Sequence, residues 1–188
     1  PSGEPKDTEF NQILAVGRLA ARKGYGSLLK AFAVVNEKIP NSELLIIGRG
    51  HLKNRLEKQA IKLGISSSVR IDSGMPFDKL AEEFRNADLV VYPSYYEGQG
   101  LIPLEAMASG TPVATVDHGP LPEMVDDSVG GLFTMANIDS MSSVILSLLS
   151  DKKGLEDRGN AGRQRVLENY TYGKNAEKFS QIYSNLAK

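Results

Sequence analysis

Two glutamates, Glu97 and Glu105, flank a short glycine-containing turn in the stretch YYEGQGLIPLEAMASGTPVAT. Gly98 and Gly100 lie between them, and the lack of a side chain at these positions lets the backbone approach a ligand closely. The apolar run that follows is typical of a helix, whose free amino-terminal N–H groups favour an anion. A carboxylate beside an anion is repelled. Each glutamate is therefore better suited to accept hydrogen bonds from hydroxyl groups on the flanks of that anion.

A pair of cations, Arg18 and Lys23, lies in the segment VGRLAARKG, where Gly17 ends an apolar run. A guanidinium and an ammonium in one loop suit a diphosphate, and each charge-assisted hydrogen bond contributes roughly 1.5–3 kcal/mol. The alternative is a solvated surface pair. Combined with the two glutamates, the cations predict a ligand with a diphosphate in the middle and hydroxylated groups at both ends. A nucleotide sugar has this chemistry.

Short apolar segments alternate with amphipathic segments, which predicts parallel strands with helices on both faces. The predicted strands are 12–17, 43–48, 69–71, 88–94, 111–116 and 130–133, and the predicted helices are 25–38, 51–64, 78–87, 101–109, a short one near Leu121, 139–151, 155–170 and 171–188. We expect an α/β fold, a Rossmann-like doubly wound parallel sheet of about six strands followed by C-terminal helices. Ligands of such sheets bind at the carboxyl ends of the strands, where both pairs lie.

The other loops after strands carry weaker signals. The GRG turn at 48–50 lacks the G-x-G-x-x-G pattern of a dinucleotide site. Its glycines are equally consistent with a contact to a phosphate or base and with a tight turn that has only a structural role. The loop around Met75 is apolar enough to pack on a nucleobase. His51 and His118 are isolated, so we assign no base to either. Without a Ser-His-Asp set or metal-ligand spacing, we predict neither a metal ion nor another cofactor.

Composition excludes several classes of protein. The 188-residue chain has a formal net charge of −1 with dispersed basic residues, which does not indicate a nucleic-acid partner or an anionic lipid surface. It has no cysteine and no run of the ~20 apolar residues that a membrane helix needs. We therefore expect a cytoplasmic protein without a transmembrane segment. Residues 1–11 are predicted to be a linker, and residues 12–188 a nucleotide-sugar-binding domain.

The segments VGRL…RKG, YEGQGLIPLEAMASGTPVA and GPLPEMV…GG resemble the C-terminal, donor-binding domain of the retaining glycosyltransferases of family 4, which have the GT-B fold. The likeness runs from about Ile13 to the last helix. It implies half of an enzyme that moves a sugar from a nucleoside diphosphate sugar, UDP- or GDP-linked, to an acceptor hydroxyl. In the family a separate N-terminal domain binds the acceptor, which is a sugar, a lipid-linked group or another hydroxyl compound. The 188 residues do not include this N-terminal domain, so we expect the chain alone to transfer no sugar. The whole protein is expected to be cytoplasmic or peripheral to a membrane.

The resemblance implies roles for the charged residues. Arg18 and Lys23 bind the donor diphosphate, Glu97 contacts hydroxyls of the transferred sugar, and Glu105 accepts from the ribose hydroxyls. Arg18, Lys23 and Glu97 are the expected catalytic set. Family members use no metal ion, because these cations and the helix amino end stabilise the leaving-group charge. The anomeric configuration is retained, through an oxocarbenium-like, front-side displacement.

The resemblance also implies contacts from the backbone and from apolar side chains. Amides of Gly100 and Leu101 meet the phosphates, and the base rests near Met75. Two positions depart from the family: Gln99 replaces the usual aromatic residue, and Pro120 replaces a glycine and so lacks an N–H. The full set of predicted donor-binding residues is Gly17, Arg18, Lys23, Met75, Glu97, Gly98, Gln99, Gly100, Leu101, Ile102 and Glu105.

Two kinds of alternative remain open on the same fold, a different enzyme and a non-catalytic partner subunit. A nucleotide-sugar epimerase would act without an acceptor, and a phosphorylase would need a pyridoxal-phosphate lysine, for which no segment provides a convincing context. A non-catalytic partner subunit is expected to lose motif residues. Both cations and both glutamates are present, and only Gln99 favours that reading.

Overall fold

The computed structural model describes residues 11–186, which contain a six-stranded sheet with helices on both faces. The strands are β1 (Asn11–Val16), β2 (Ser42–Ile47), β3 (Val69–Asp72), β4 (Leu89–Tyr92), β5 (Val113–Val116) and β6 (Gly130–Phe133). The α-helices are α1 (Tyr25–Lys38), α2 (Lys53–Lys62), α3 (Phe77–Asn86), α4 (Leu101–Ala108), α5 (Ile138–Leu149), α6 (Lys152–Asn169) and α7 (Tyr172–Leu186). Two single turns of 3-10 helix complete the described elements, Ala21–Lys23 and Leu121–Glu123.

The predicted fold class is confirmed, because every strand pairing is parallel and the strand order is β3-β2-β1-β4-β5-β6. The element bounds shift by a few residues. Strand β1 already includes Asn11, and the rest of the predicted linker, 1–10, lies outside the described residues. Helix α6 begins earlier than predicted because the Asp151 side chain caps it, accepting from the Gly154 amide at 2.8 Å. The 3-10 turn at Ala21–Lys23 was not predicted.

The two faces of the sheet are covered by separate groups of helices. Helix α1 packs against α2 and α5, whereas α4 packs against α3 and α6. All four residues of β4 and of β5 are buried, which explains why these strands are mostly apolar and do not alternate between apolar and exposed polar residues. The stripe of α1 that faces the sheet is also buried, including Leu28, Leu29 and Phe32. None of the helices within residues 11–186 is long and apolar enough to cross a bilayer.

The direction of strand order reverses between β1 and β4 in the middle of the sheet. From β1 the chain crosses over α1 to β2 on one side, and from β4 it crosses over α4 to β5 on the other. The loops that leave β1 and β4 therefore diverge at the carboxyl edge of the sheet, and such a switch point is where open α/β sheets form a ligand crevice. Residues 17–24 and 93–100 make up these two loops.

The GRG turn after β2 packs against the loop after β1. Gly48 lies so close to this loop that a Cβ built on it would be 1.8 Å from the Gly17 carbonyl oxygen, and one built on Gly50 would be 2.3 Å from the Leu19 carbonyl oxygen. The Leu19 amide donates to the Arg49 carbonyl at 2.9 Å. Of the two readings left open for this turn, the geometry supports the structural one, because its glycines permit backbone contact between neighbouring loops.

We expect Gly48→Ala to lower the free energy of unfolding by about 2–3 kcal/mol or more, because the added methyl group collides with backbone rather than with a movable side chain. Urea denaturation at neutral pH measures the change. Gly26→Ala is the matched control. Its Cβ would meet only the Gln59 side chain, at 3.4 Å, and alanine is favoured over glycine inside helix α1. Equal midpoints for wild type and Gly48→Ala would contradict the close approach.

Candidate functional site

The loops after β1 and β4 are joined directly by backbone contacts. The Tyr95 amide donates to the Arg22 carbonyl at 2.8 Å. Gly24 has a φ of +70° and lies against Pro93, whose carbonyl oxygen would be 2.1 Å from a Cβ at that position. Only glycine combines this left-handed conformation with the close approach. The 3-10 turn that ends at Lys23 is thereby fixed against the β4 loop, and the Lys23 side chain is directed towards it.

The ammonium of Lys23 is held between an acid and a phenol. It forms an ion pair with the Glu97 carboxylate and donates a hydrogen bond to the Tyr92 hydroxyl at 2.9 Å. The Ser94 hydroxyl donates to the same Glu97 oxygen. Lys23 is only 8 % exposed. A buried ammonium needs such partners, and together these residues form a compact polar cluster at the carboxyl edge of β4.

The surroundings of the cluster set the charge of its members. Burial raises the pKa of Glu97, but the hydrogen bonds that Lys23 and Ser94 donate to its carboxylate do most to outweigh burial, and the pKa lies below its ordinary value. Burial is the main cause that raises the pKa of Tyr92 and of Tyr25, and the nearby Glu97 charge adds to it. At neutral pH the cluster therefore contains an ionised carboxylate among neutral tyrosines.

Helix α4 begins immediately after this cluster. Its N-cap residue is Gly100, with a φ of +79°, and no side chain caps the helix. A Cβ on Gly100 would be 2.8 Å from Leu121, so glycine is needed there for space as well as for conformation. Leu101, the first helical residue, is 57 % exposed. The amino end of α4 thus lies at the surface, within a few residues of Glu97, and its partial positive charge favours an anion.

Glu105 lies one turn into α4 and is the only charged residue of this helix. It is half-buried, and burial raises the pKa of its carboxyl group. The carboxyl group has no hydrogen-bond or ion-pair partner within residues 11–186. The two glutamates of the motif therefore lie in opposite environments: Glu97 is surrounded by donors, and Glu105 has none.

The remaining predicted residues lie around this core of the site. Arg18 follows Gly17 at the end of β1, but its exposed side chain makes no hydrogen bond or ion pair within the described chain. Gly17 has a φ of +142°, and its amide donates to Ile47. Met75 packs at the edge of the core in the loop after β3. The others flank the start of α4: Gly98 and Gln99 are exposed, and Ile102 is half-buried.

Three polar residues of this region were not predicted from the sequence. Tyr92 ends the buried strand β4, where a phenol needs a partner for its hydroxyl, and Ser94 follows two residues later. Tyr25 is 2 % exposed, and its hydroxyl is buried without a hydrogen-bond partner. For Tyr92, the sequence signal that could have indicated it is a hydroxyl-bearing side chain at the end of an apolar strand. Within residues 11–186, no group of three or more His, Cys, Asp or Glu side chains could hold a metal ion.

A comparison with known sequences identifies the family. The sequence profile of the glycosyl transferases group 1 matches residues 2–165. The chain belongs to this family. This membership confirms the resemblance to a GT-B glycosyltransferase.

Individual glycosyltransferases are similar over nearly the whole chain. One relative is the GDP-mannose-dependent alpha-(1-6)-phosphatidylinositol monomannoside mannosyltransferase of Mycolicibacterium smegmatis, 28% identical over 92% of this chain and 47% of its own length. Sucrose-phosphate synthase from Thermosynechococcus elongatus has the same fold, with a TM-score of 0.85 and 29% identity over 95% of this chain and 46% of that one. A TarM mutant of S. aureus, in complex with Fondaparinux, alpha-GlcNAc-glycerol and UDP, matches with a TM-score of 0.84 and 25% identity over 93% of this chain and 35% of that one. The chain spans less than half the length of each of these proteins.

We expect Glu105→Gln to raise the free energy of unfolding at pH 7. Because burial raises the folded pKa above the unfolded pKa, the stability that Glu105 contributes is fully present below the unfolded pKa and is lost as pH rises through the folded pKa. Glutamine removes this loss, so the difference between variant and wild type shrinks below about pH 4. Thermal denaturation between pH 3 and 8 measures it.

Glu43→Gln provides the control for this experiment, because it makes the same change of charge at an exposed position of β2. We expect no comparable pH-dependent gain for it. A Glu105→Gln protein that is less stable than wild type at pH 7 would show that the carboxylate has a stabilising partner, contrary to the environment described above.

Proposed function

We propose that the chain is the donor-binding half of a retaining glycosyltransferase that transfers a sugar from a nucleoside diphosphate sugar to an acceptor hydroxyl. The observation that carries the proposal is the paired Lys23 ammonium and Glu97 carboxylate beside the uncapped amino end of α4. A cation, an acceptor for hydroxyl groups and a set of free N–H groups lie together at the switch point of the sheet. A sugar joined to a diphosphate uses all three.

The diphosphate is assigned to Lys23, Arg18 and the amino end of α4. Lys23 is buried and fixed in place, whereas Arg18 is exposed and free of protein partners in the described chain, so it can turn towards a bound anion. The amides of Gly100 and Leu101 add donors, and Gly100 has no side chain that would block the approach. Met75 supplies an apolar surface for the base in the loop after β3.

The hydroxylated parts of the donor are assigned to the two glutamates. Glu97 remains ionised next to Lys23 and accepts from hydroxyls of the transferred sugar. Glu105 has no partner of its own within residues 11–186, and two ribose hydroxyls provide the donors that it lacks. Gln99 is exposed two positions after Glu97 in the chain, and it is assigned to the same sugar.

In the proposed transfer, the bond between the anomeric carbon and the diphosphate oxygen breaks with an oxocarbenium-like transition state. The negative charge that develops on the leaving diphosphate is stabilised by Lys23, Arg18 and the α4 amino end, so no metal ion is assigned. The acceptor oxygen attacks from the face that the leaving group vacates, which retains the configuration. The leaving diphosphate oxygen takes up the acceptor proton.

The acceptor is assigned to sequence outside the matched region. In these relatives, the sequence outside the match is longer than the part that this chain matches. The Mycolicibacterium smegmatis relative is named for GDP-mannose and a phosphatidylinositol monomannoside, and the TarM complex contains UDP. These names support a GDP- or UDP-linked donor, and an acceptor of carbohydrate or lipid-linked type. The chain alone is proposed to bind the donor without transferring its sugar.

Isothermal titration calorimetry with UDP, GDP and ADP, and with the corresponding nucleosides, tests the proposal. We expect at least one nucleoside diphosphate to bind and Lys23→Ala to weaken that binding by about 10- to 100-fold, which corresponds to the roughly 1.5–3 kcal/mol of a charge-assisted hydrogen bond. Affinity for the nucleoside should be unchanged. Lys30→Ala, which removes an exposed ammonium from α1, is the matched control. Wild-type protein that binds none of the three diphosphates would refute the proposed function.

If Glu97 binds the sugar and Lys23 binds the diphosphate, a change at Glu97 should affect a nucleotide sugar and a nucleoside diphosphate differently. In Glu97→Gln the ammonium of Lys23 no longer faces a competing carboxylate, so the nucleoside diphosphate should bind as well as to wild type or up to about tenfold more tightly. The matching nucleotide sugar should lose the additional affinity that its sugar gives it in wild type. Calorimetry with both ligands measures the split, with Glu43→Gln as the control of equal charge change. An equal loss of affinity for both ligands would mean that Glu97 does not contact the sugar.

A further inference from the structure

We propose that Tyr92 is a positioning residue that holds the Lys23 ammonium where a diphosphate can reach it. This inference rests on the proposed function, because it concerns how the same site keeps its cation in place. Tyr92 is 3 % exposed, at the last position of β4, and its hydroxyl lies 2.9 Å from the Lys23 nitrogen. It can therefore act on a ligand only through Lys23.

The contact is a hydrogen bond to the hydroxyl rather than an interaction with the ring face. The Lys23 nitrogen is 5.0 Å from the ring centroid but only 2.9 Å from the phenol oxygen, so it lies beyond the hydroxyl end of the ring. A phenylalanine at this position would keep the buried ring and lose the contact. This separates the packing role of Tyr92 from its polar role.

The importance of a neutral partner follows from the number of donors on a lysine. An ammonium has three N–H donors, and Glu97 and Tyr92 accept two of those of Lys23. A bound nucleotide sugar would bring a diphosphate that competes for Lys23 and hydroxyl groups that compete for Glu97. Tyr92 has no charge, so it can retain Lys23 through this exchange without cancelling the positive charge that attracts the diphosphate.

Burial makes the loss of this partner consequential. Lys23 is 8 % exposed, and a long flexible side chain without fixed acceptors would turn towards solvent. Burial, first, and the Glu97 carboxylate keep the pKa of Tyr92 above its ordinary value, so the phenol stays neutral at neutral pH.

A matched control is available at Tyr25. This tyrosine is equally buried and lies near the same loop, but its hydroxyl has no hydrogen-bond partner within the described chain. Tyr25→Phe and Tyr92→Phe therefore make the same chemical change in neighbouring places, and only the second removes a contact to Lys23. Tyr25→Phe should leave stability unchanged or slightly increased, because an unsatisfied buried hydroxyl is unfavourable.

The test combines calorimetry with a double-mutant cycle. With UDP, GDP and ADP as probes, Tyr92→Phe should weaken diphosphate binding about tenfold and leave nucleoside binding unchanged, whereas Tyr25→Phe should change neither. In the Lys23→Ala background, Tyr92→Phe should have no additional effect, because its action passes through the ammonium. A Tyr92→Phe loss that extends to the nucleoside, or that persists without Lys23, would overturn the positioning role.

A spectroscopic measurement tests the hydrogen bond without any nucleotide. In ¹⁵N-labelled wild-type protein, the Lys23 ammonium should exchange its protons with water more slowly than that of the exposed Lys30. Tyr92→Phe should accelerate the exchange, and Tyr25→Phe should not. Wild-type Lys23 exchange as fast as that of Lys30 overturns the inference even if Tyr92→Phe fails to fold. If wild type binds no diphosphate, the proposed function fails and this inference with it. Normal binding by both wild type and Tyr92→Phe overturns the inference alone.

Discussion

The ion pair between Lys23 and Glu97 depends on the parallel pairing of β1 with β4. That pairing aligns Leu14 with Val90 in the centre of the sheet, so the two loops leave the same edge side by side. Gly24 then allows the β1 loop to contact the backbone at Pro93. The remaining features of the site follow from this arrangement, because the 3-10 turn directs Lys23 across the switch point and the β4 loop carries Glu97 to meet it.

A buried ion pair of this kind is expected to contribute little net stability. Removing two charges from water costs several kcal/mol per ion in proteins, and mutual attraction with good hydrogen bonds only offsets that cost. Besides the ion pair itself, Ser94 donates a hydrogen bond to the Glu97 carboxylate and Tyr92 accepts one from the Lys23 ammonium. A ligand that carries both an anion and hydroxyl groups can replace each partner with an equivalent one. The pair therefore keeps both charges satisfied whether or not a ligand is present.

The sequence was sufficient to predict the fold class, the six strands and the start of α4, because each is encoded locally. Apolar runs mark strands buried on both faces, and Gly100 before an apolar segment marks a helix start. The contact between Tyr92 and Lys23 was not predictable, since it depends on strand order and on a 3-10 turn with no distinct signal. The glycines of the GRG turn were ambiguous for a related reason: close backbone approach looks the same in sequence whether the neighbour is a phosphate or the Leu19 carbonyl.

The two glutamates of the motif show how one spacing produces two kinds of acceptor. Glu97 accepts hydrogen bonds from Lys23 and Ser94, and these donors hold its pKa low. Glu105, eight positions later, lies on a helix whose other residues are uncharged, and burial raises the pKa of its carboxyl group. A carboxylate without donors is unfavourable in the free protein, and it becomes favourable only when hydroxyl groups approach it. Glu97 is thus balanced before a ligand arrives. Glu105 lacks such donors within residues 11–186, and its environment is therefore the stronger physical support for the proposed contact with ribose hydroxyls.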